Sequence, residues 1–166
     1  MRVILILLSI FIASYVCAQD PHVYQNQSAG IAFNYDNVSI DKNSGKDVPL
    51  SVVFAAGSRP FAVSVLFKEE KGSGTLGEFI ENERENQRQG GYEKEVTITK
   101  ISNSNIAAYE IIRKSNSIKI RWFVFSSQKN NNLYSFWLAE NSSLKKENPQ
   151  AIKAYKTMKS TLVLFE

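Results

Sequence analysis

The sequence predicts an α+β fold, an α/β/α sandwich in which a central, mainly antiparallel sheet of about six or seven strands is covered by helices on both faces. Segments of alternating apolar residues outnumber the two segments with helical spacing. The four strand-like segments of the second half are joined by polar connections of at most five residues, which only antiparallel neighbours can bridge. Residues 118–125 carry apolar side chains on both alternating faces, so we expect cover on each side of the sheet.

The first segment, residues 1–18, is predicted to be an export signal. Arg2 gives it a positive start, residues 3–13 are apolar, and a small-residue cleavage pattern ends at Ala18. The chain has 20 basic and 16 acidic residues, and cleavage before Gln19 would remove only one basic residue, which leaves a net charge of +3. A charge this small and dispersed does not favour nucleic acid as a partner.

Two alternatives to cleavage stay open for this segment. Residues 1–18 could remain as an N-terminal membrane anchor, or Cys17, the only cysteine of the sequence, could be lipidated. A lipoprotein signal has a leucine-like residue three positions before its cysteine and a small residue directly before it, whereas Ser14 and Val16 stand there. We therefore expect an exported protein, periplasmic or extracellular, that folds without a disulfide.

Residues 19–28 are polar and are predicted to be a flexible leader, followed by a single domain over residues 29–166. The domain starts with alternating apolar residues at 31–35, which predict a strand. Two further strands, residues 51–56 and 61–68, are expected to form a hairpin across a glycine and proline turn.

A helix is predicted over residues 75–89. Thr75 and Glu78 form a capping box at its start, and Gly90 with Gly91 ends it. Its buried face has helical spacing and consists of Leu76, Phe79, Ile80 and Glu83.

The second half predicts a meander of four strands and a last helix. The strands are residues 92–101, 106–114, 118–127 and 132–140. Asn148 and Pro149 form the start of the helix, and its apolar positions are Ile152, Tyr155, Met158 and Leu162. The final apolar residues are expected to pack on the domain or to form a short strand.

This order of elements resembles the PsbP-like family over Gly30 to Phe165. Within the meander, residues 105–109, "NIAAY", occupy the place of the family's "G-x-x-A-Y" element, and "YSFWL" has a counterpart there. The chain departs from the family's "F-x-Y-P-x-x-W" pattern, because Asp36 stands where the family has proline. The resemblance implies an α/β/α sandwich and a role in binding or assembly without catalysis.

The residues available for catalysis or metal binding are few. His22 is the only histidine and falls in the predicted leader, and no nucleophile, metalloprotease or phosphate-loop motif occurs. "KGSG" at residues 71–74 lacks the spacing of a phosphate loop. Glu69 and Glu70, like the glutamates of the predicted helix, are better explained by salt bridges than by metal coordination. We therefore predict a non-enzymatic protein without a metal or cofactor.

Two candidate binding surfaces follow from the meander. The first is a basic hairpin, which an anionic partner or lipid headgroup could contact, or which could instead prevent edge-to-edge aggregation. It consists of Arg113, Lys114, Lys119 and Arg121. The second is an aromatic set that could stack on a ligand but more commonly fills a core, namely Trp122, Tyr134, Phe136 and Trp137.

The sequence thus predicts an exported, non-enzymatic, PsbP-like domain that binds or supports another extracytoplasmic component. The expected partner is a protein or an anionic component of the cell envelope, with peripheral membrane contact and a monomeric state. The alternative is a protein that binds a small ligand or a cell-surface polymer on the sheet face. Neither function involves nucleic acid.

Overall fold

The computed structural model describes residues 22–35, 50–54, 63–72, 74–89, 95–101, 106–115, 118–141 and 148–166. The predicted export signal, with Cys17, lies outside these residues. The described part forms an α+β fold with antiparallel strand pairs, which confirms the predicted class. Its elements are β1 (His22–Asn26), β2 (Ile31–Tyr35), β3 (Leu50–Phe54), β4 (Val63–Glu69), α1 (Leu76–Arg88), β5 (Glu95–Ile101), β6 (Ala108–Lys114), β7 (Ile118–Ser126), β8 (Leu133–Asn141), α2 (Pro149–Ser160) and β9 (Val163–Leu164).

The larger sheet has six strands in the order β3-β4-β8-β7-β6-β5. Strands β5 to β8 form the predicted meander, which is confirmed. Strand β4 is second from one edge of the sheet and pairs with β8, and α1 lies in the connection that takes the chain from there to the opposite edge at β5. In the centre, Trp122 faces Trp137 and Phe123 faces Phe136 across the β7–β8 pair.

The predicted flexible leader at residues 19–28 is corrected, because its described part contains a strand. Strand β1 pairs with β2 along its whole length, and β9 pairs with the other side of β2. Tyr24 holds β1 in place by stacking on Phe33 at 4.9 Å between ring centroids and by contacting Phe67 at 5.1 Å. The single sheet of six or seven strands is therefore corrected to two sheets, of three and six strands.

The turn between β1 and β2 requires a glycine. Gly30 has φ of 63°, and a Cβ at this position would collide with the backbone oxygen of Phe165. The Asn26 side chain closes the turn by accepting hydrogen bonds from the Ala29 N–H at 3.0 Å and the Ser28 hydroxyl at 2.8 Å. The Phe165 N–H donates to the Gly30 oxygen at 2.9 Å, which joins the predicted terminal strand to the start of the domain.

The predicted start of α1 is confirmed. The Glu78 N–H donates to the Thr75 hydroxyl at 3.2 Å, and the Thr75 N–H donates to the Glu78 carboxylate at 2.7 Å, which completes the capping box. Gln89 caps the other end, and the predicted stop at Gly90 and Gly91 lies outside the described residues. The buried side chains of α1 are Phe79, Ile80 and Glu83.

Helix α2 also starts as predicted. The Asn148 side chain accepts hydrogen bonds from the Gln150 and Ala151 N–H groups at 3.0 and 3.2 Å, and Pro149 occupies the first turn. The apolar stripe packs inward, with Ala151, Ala154, Tyr155 and Met158 buried.

The two helices pack in different apolar clusters, because successive side chains of β7 point to opposite faces of the sheet. Trp122 and Val124 pack with α1 and with Ile111 of β6. Phe123 and Phe125, which point to the other face, pack with α2 and with the inward side chains of β2. The predicted division of residues 118–125 between two faces is confirmed.

Candidate binding surfaces

The structure divides the predicted basic hairpin between the two faces of the sheet. Lys114 lies opposite Lys119 in the β6–β7 register, and Arg121 follows on the same face. Arg113 is opposite Ile120 and therefore lies on the α1 face. The four residues are thus neighbours in the hairpin but do not form one basic surface.

Arg113 forms an ion pair with a carboxylate that is distant in sequence. Its guanidinium contacts Glu83 of α1 and lies 5.4 Å from the centroid of the Trp122 ring. Burial lowers the pKa of Arg113 from its usual value, yet a guanidinium stays protonated at any physiological pH. Glu83 is itself buried, so this pair ties α1 to the sheet.

The other three basic residues belong to a surface that we call the charged face. It lies on the α2 side of the sheet and comprises Glu110, Lys114, Lys119, Arg121, Glu140 and Lys159. Arg121 Nε lies 3.7 Å from Glu140 Oε2, and the Glu140 side chain is only 5% exposed. The register places Glu95, Lys114, Lys119 and Glu140 in one row across four strands. The fold thus places the Glu140 carboxylate beside Arg121 and opposite Lys119, where it compensates part of the charge of the hairpin cations.

Helix α2 contributes a polar contact to the charged face. The Tyr155 hydroxyl donates to Glu110 Oε1 at 3.1 Å, and Lys159 Nζ donates to the same oxygen at 2.9 Å. Burial and the neighbouring Glu110 charge raise the pKa of Tyr155 far above that of a free tyrosine. The hydroxyl therefore stays protonated and continues to donate to Glu110.

The second predicted set, the aromatic residues, is also divided. Tyr134 and Phe136 are buried in the cluster beneath α2, which confirms a core role for both. Trp122 is buried on the opposite face, and Trp137 beside it is only partly buried. The two indoles meet edge to face with centroids 5.8 Å apart and planes at 87°.

Lys68, Glu70 and Ser135 lie beside these two indoles. We call the surface formed by the five residues the tryptophan cluster, namely Lys68, Glu70, Trp122, Ser135 and Trp137. Lys68 Nζ lies 5.4 Å from the Trp122 centroid and 5.1 Å from the Trp137 centroid. It also forms an ion pair with Glu70 Oε2 at 3.0 Å. The other Glu70 oxygen accepts hydrogen bonds from Trp122 Nε1 at 3.0 Å and from the Ser135 hydroxyl. An ammonium group is thus held between two indoles and a carboxylate.

Sequence reasoning missed the role of Lys68 and Glu70. It treated Glu70 only as a member of an adjacent glutamate pair. The available signal was the spacing, because Lys68 and Glu70 are two positions apart at the end of a predicted strand and so point to the same face. That this face is the one with the tryptophans depends on the β4–β8 pairing, which the sequence does not specify.

The described residues contain no group of three or more histidine, cysteine, aspartate or glutamate side chains placed to hold a metal ion. His22 is not in a flexible leader as predicted but in β1, with its ring 5.6 Å from that of Tyr35. In the part of the chain that the structure describes, neither helix has the length and apolar character needed to cross a membrane.

Comparisons with known proteins give information on the fold. No protein-family model matches the chain, and no curated protein matches it in sequence. The structure is similar to the crystal structure of PA94 from Pseudomonas aeruginosa, a protein of unknown function described as a putative regulator. The likeness covers 88% of this chain and 98% of that chain, with a TM-score of 0.52 and 14% identity. At this identity it shows a shared fold alone.

Proposed function

We propose that the protein is an exported, non-enzymatic accessory domain that binds another extracytoplasmic protein through the charged face. The finer architecture that we propose is a PsbP-like α/β/α sandwich. It is supported by the packing of α1 beside Trp122 and of α2 beside Phe123, which lie on opposite sides of β7. The small sheet beside α2 is an addition that the family pattern did not predict.

The row of charges across the sheet is the observation that carries this proposal. Lys114 and Lys119 lie side by side in this row, and Glu140 lies opposite Lys119. Glu140 and Glu110, which lie among the basic residues of this face, compensate part of its positive charge and so reduce its attraction for a polyanion or an anionic membrane. A protein surface with acidic groups placed opposite Lys114 and Lys119 would match this face, and such complementarity favours one partner over others.

A charge-reversal experiment tests the proposal. The protein would be used for affinity capture from its own cell envelope, with the recovered proteins quantified by mass spectrometry. We expect the double variant Lys114→Glu/Lys119→Glu to recover about tenfold less of one partner protein, because like charges across an interface are strongly unfavourable. Circular dichroism would establish that the variant is folded.

The matched control reverses the same number of charges elsewhere. Lys153 and Lys156 are exposed on α2, and the double variant Lys153→Glu/Lys156→Glu should capture the partner like the unmodified protein. Equal recovery of every protein with both double variants would contradict a role for the charged face.

A second function is favoured by the tryptophan cluster. Trp137 is partly exposed on the α1 face and stands beside a charged pair, Lys68 and Glu70. Aromatic rings next to charged groups are typical of small-ligand sites. We therefore keep binding of a small ligand on this face as the alternative function.

A further inference from the structure

The tryptophan cluster has the geometry of a site for a cation. The planes of Trp122 and Trp137 are perpendicular, with centroids 5.8 Å apart, so the two rings form a corner. Phe79 of α1 lies 5.1 Å from Trp122 at 89° and supports the corner from the helix side. Indole faces carry negative electrostatic potential and attract cations within about 6 Å of their centroids.

The corner also contains a fixed carboxylate. The Glu70 side chain is 9% exposed, and hydrogen bonds from Trp122 Nε1 and Ser135 hold one of its oxygens. A buried carboxylate beside two aromatic walls selects for positive charge, since an anion would be repelled and a neutral group would leave the carboxylate uncompensated.

The present occupant of the corner is the protein's own Lys68. Its Nζ is within 5.4 Å of both indole centroids and 3.0 Å from Glu70. The Lys68 side chain is 25% exposed and stands on a flexible four-carbon stem, so it can swing out into solvent without a change in the backbone. Displacement of Lys68 would free its position in the corner, where the Trp137 side chain is already partly exposed.

We propose that the tryptophan cluster is a cation cage that Lys68 occupies at rest and that binds a ligand with a trimethylammonium group. A free primary amine cannot compete with Lys68, which is present at a high effective concentration. A trimethylammonium group is larger and contacts both indole faces, and aromatic cages of this kind recognise quaternary ammonium ligands. This site lies on the α1 face, so the proposal does not depend on partner binding by the charged face.

The test uses choline as the probe, with binding followed by tryptophan fluorescence and by calorimetry. The unmodified protein should show saturable, weak binding, because choline must displace Lys68. The variant Lys68→Ala should bind choline about tenfold more tightly, since the competing cation–π contacts and ion pair are gone. Lys153→Ala, which changes an exposed lysine of α2, a helix that packs in the other apolar cluster, is the matched control and should bind like the unmodified protein.

Two controls separate a cation cage from a nonspecific apolar site. The uncharged choline isostere 3,3-dimethyl-1-butanol should not bind, and Trp137→Leu in the Lys68→Ala background should abolish choline binding. Absence of choline binding in both the unmodified protein and a folded Lys68→Ala variant would overturn the proposal, as would equal binding of the isostere. If Lys68→Ala does not fold, Lys68→Gln replaces it and the same outcomes apply.

The trimethylammonium group could come from a lipid headgroup or from a free small molecule. Sedimentation with phosphatidylcholine vesicles distinguishes these two sources. Binding to the vesicles that choline competes away identifies a lipid, whereas binding of choline without vesicle association identifies a soluble ligand.

Discussion

At the scale of single residues, buried carboxylates compensate basic residues that are distant in sequence. Glu83 and Glu140 come from α1 and β8 and pair with Arg113 and Arg121 of the hairpin. Glu70 holds Lys68 in the same way. A cluster of basic residues in the sequence is therefore not a basic surface in the fold, because neighbours that are distant in sequence compensate much of its charge.

The Glu83–Arg113 pair should contribute measurably to stability. Replacing Glu83 with Gln would leave the Arg113 guanidinium partly buried without its carboxylate, and we expect the free energy of unfolding to fall by about 1–3 kcal/mol. Urea denaturation followed by circular dichroism measures this change. Glu81, which pairs with Arg84 at the exposed surface of the same helix, gives the control Glu81→Gln, with an expected change of less than about 0.5 kcal/mol. Equal effects of the two substitutions would contradict a role for burial.

At the scale of elements, the sequence predicted best what is decided locally. The start of α1 at Thr75 and Glu78 depends on residues within one turn, and the meander from β5 to β8 follows from short connections. Strand β1 was missed because "HVYQN" has no strong local signal. It becomes a strand only because it pairs with β2. This pairing brings the Tyr24 ring against Phe33 of β2 and Phe67 of the larger sheet.

The candidate surfaces were predicted only in part for the same reason. Alternation along β7 correctly separated Lys119 and Arg121 from Trp122, since that period belongs to a single strand. The position of Glu83 beside Arg113, and of Lys68 between the tryptophans, depends on pairings between segments that are far apart in sequence. No spacing rule gives such contacts.

The structured state of β1 can be tested with two adjacent residues. Tyr24 packs on two aromatic rings, whereas its neighbour Val23 is 64% exposed. Tyr24→Ala should lower the free energy of unfolding by about 1.5–3 kcal/mol through lost burial and ring contacts. Val23→Ala should change it by less than about 0.5 kcal/mol. Thermal or urea unfolding compares the two, and a neutral Tyr24→Ala would mean that this segment is a flexible leader after all.

At the scale of the whole molecule, α1 and α2 belong to two different apolar clusters, and both clusters contain residues of β7. Strands β7 and β8 have hydrogen-bonded neighbours on both sides, whereas β1 and β5 are edges of their sheets. The stability of the fold should therefore be highest in the centre of the larger sheet and lowest at these edges.

Hydrogen exchange measures this gradient directly. We expect the amides of residues 120–125 and 134–138 to exchange most slowly, at rates set by global unfolding, and those of β1 and β5 to exchange fastest among the strands. The Tyr24→Ala variant should be measured beside the unmodified protein. Its amide exchange should accelerate more in β1 than in the other strands, which therefore act as an internal reference. Uniform protection across all strands would show that the edges are as stable as the centre.

The pairing of β2 with β9 has a consequence for how the protein is made. Ile31 and Ala32 lie opposite Leu164 and Val163, so a strand near the start of the domain waits for residues that are synthesised more than 130 positions later. During synthesis, this edge of β2 stays without its hydrogen-bonded neighbour until β9 has emerged. The three-stranded sheet is therefore completed only after residues 163–164 have been synthesised, whereas the six-stranded sheet does not contain β9.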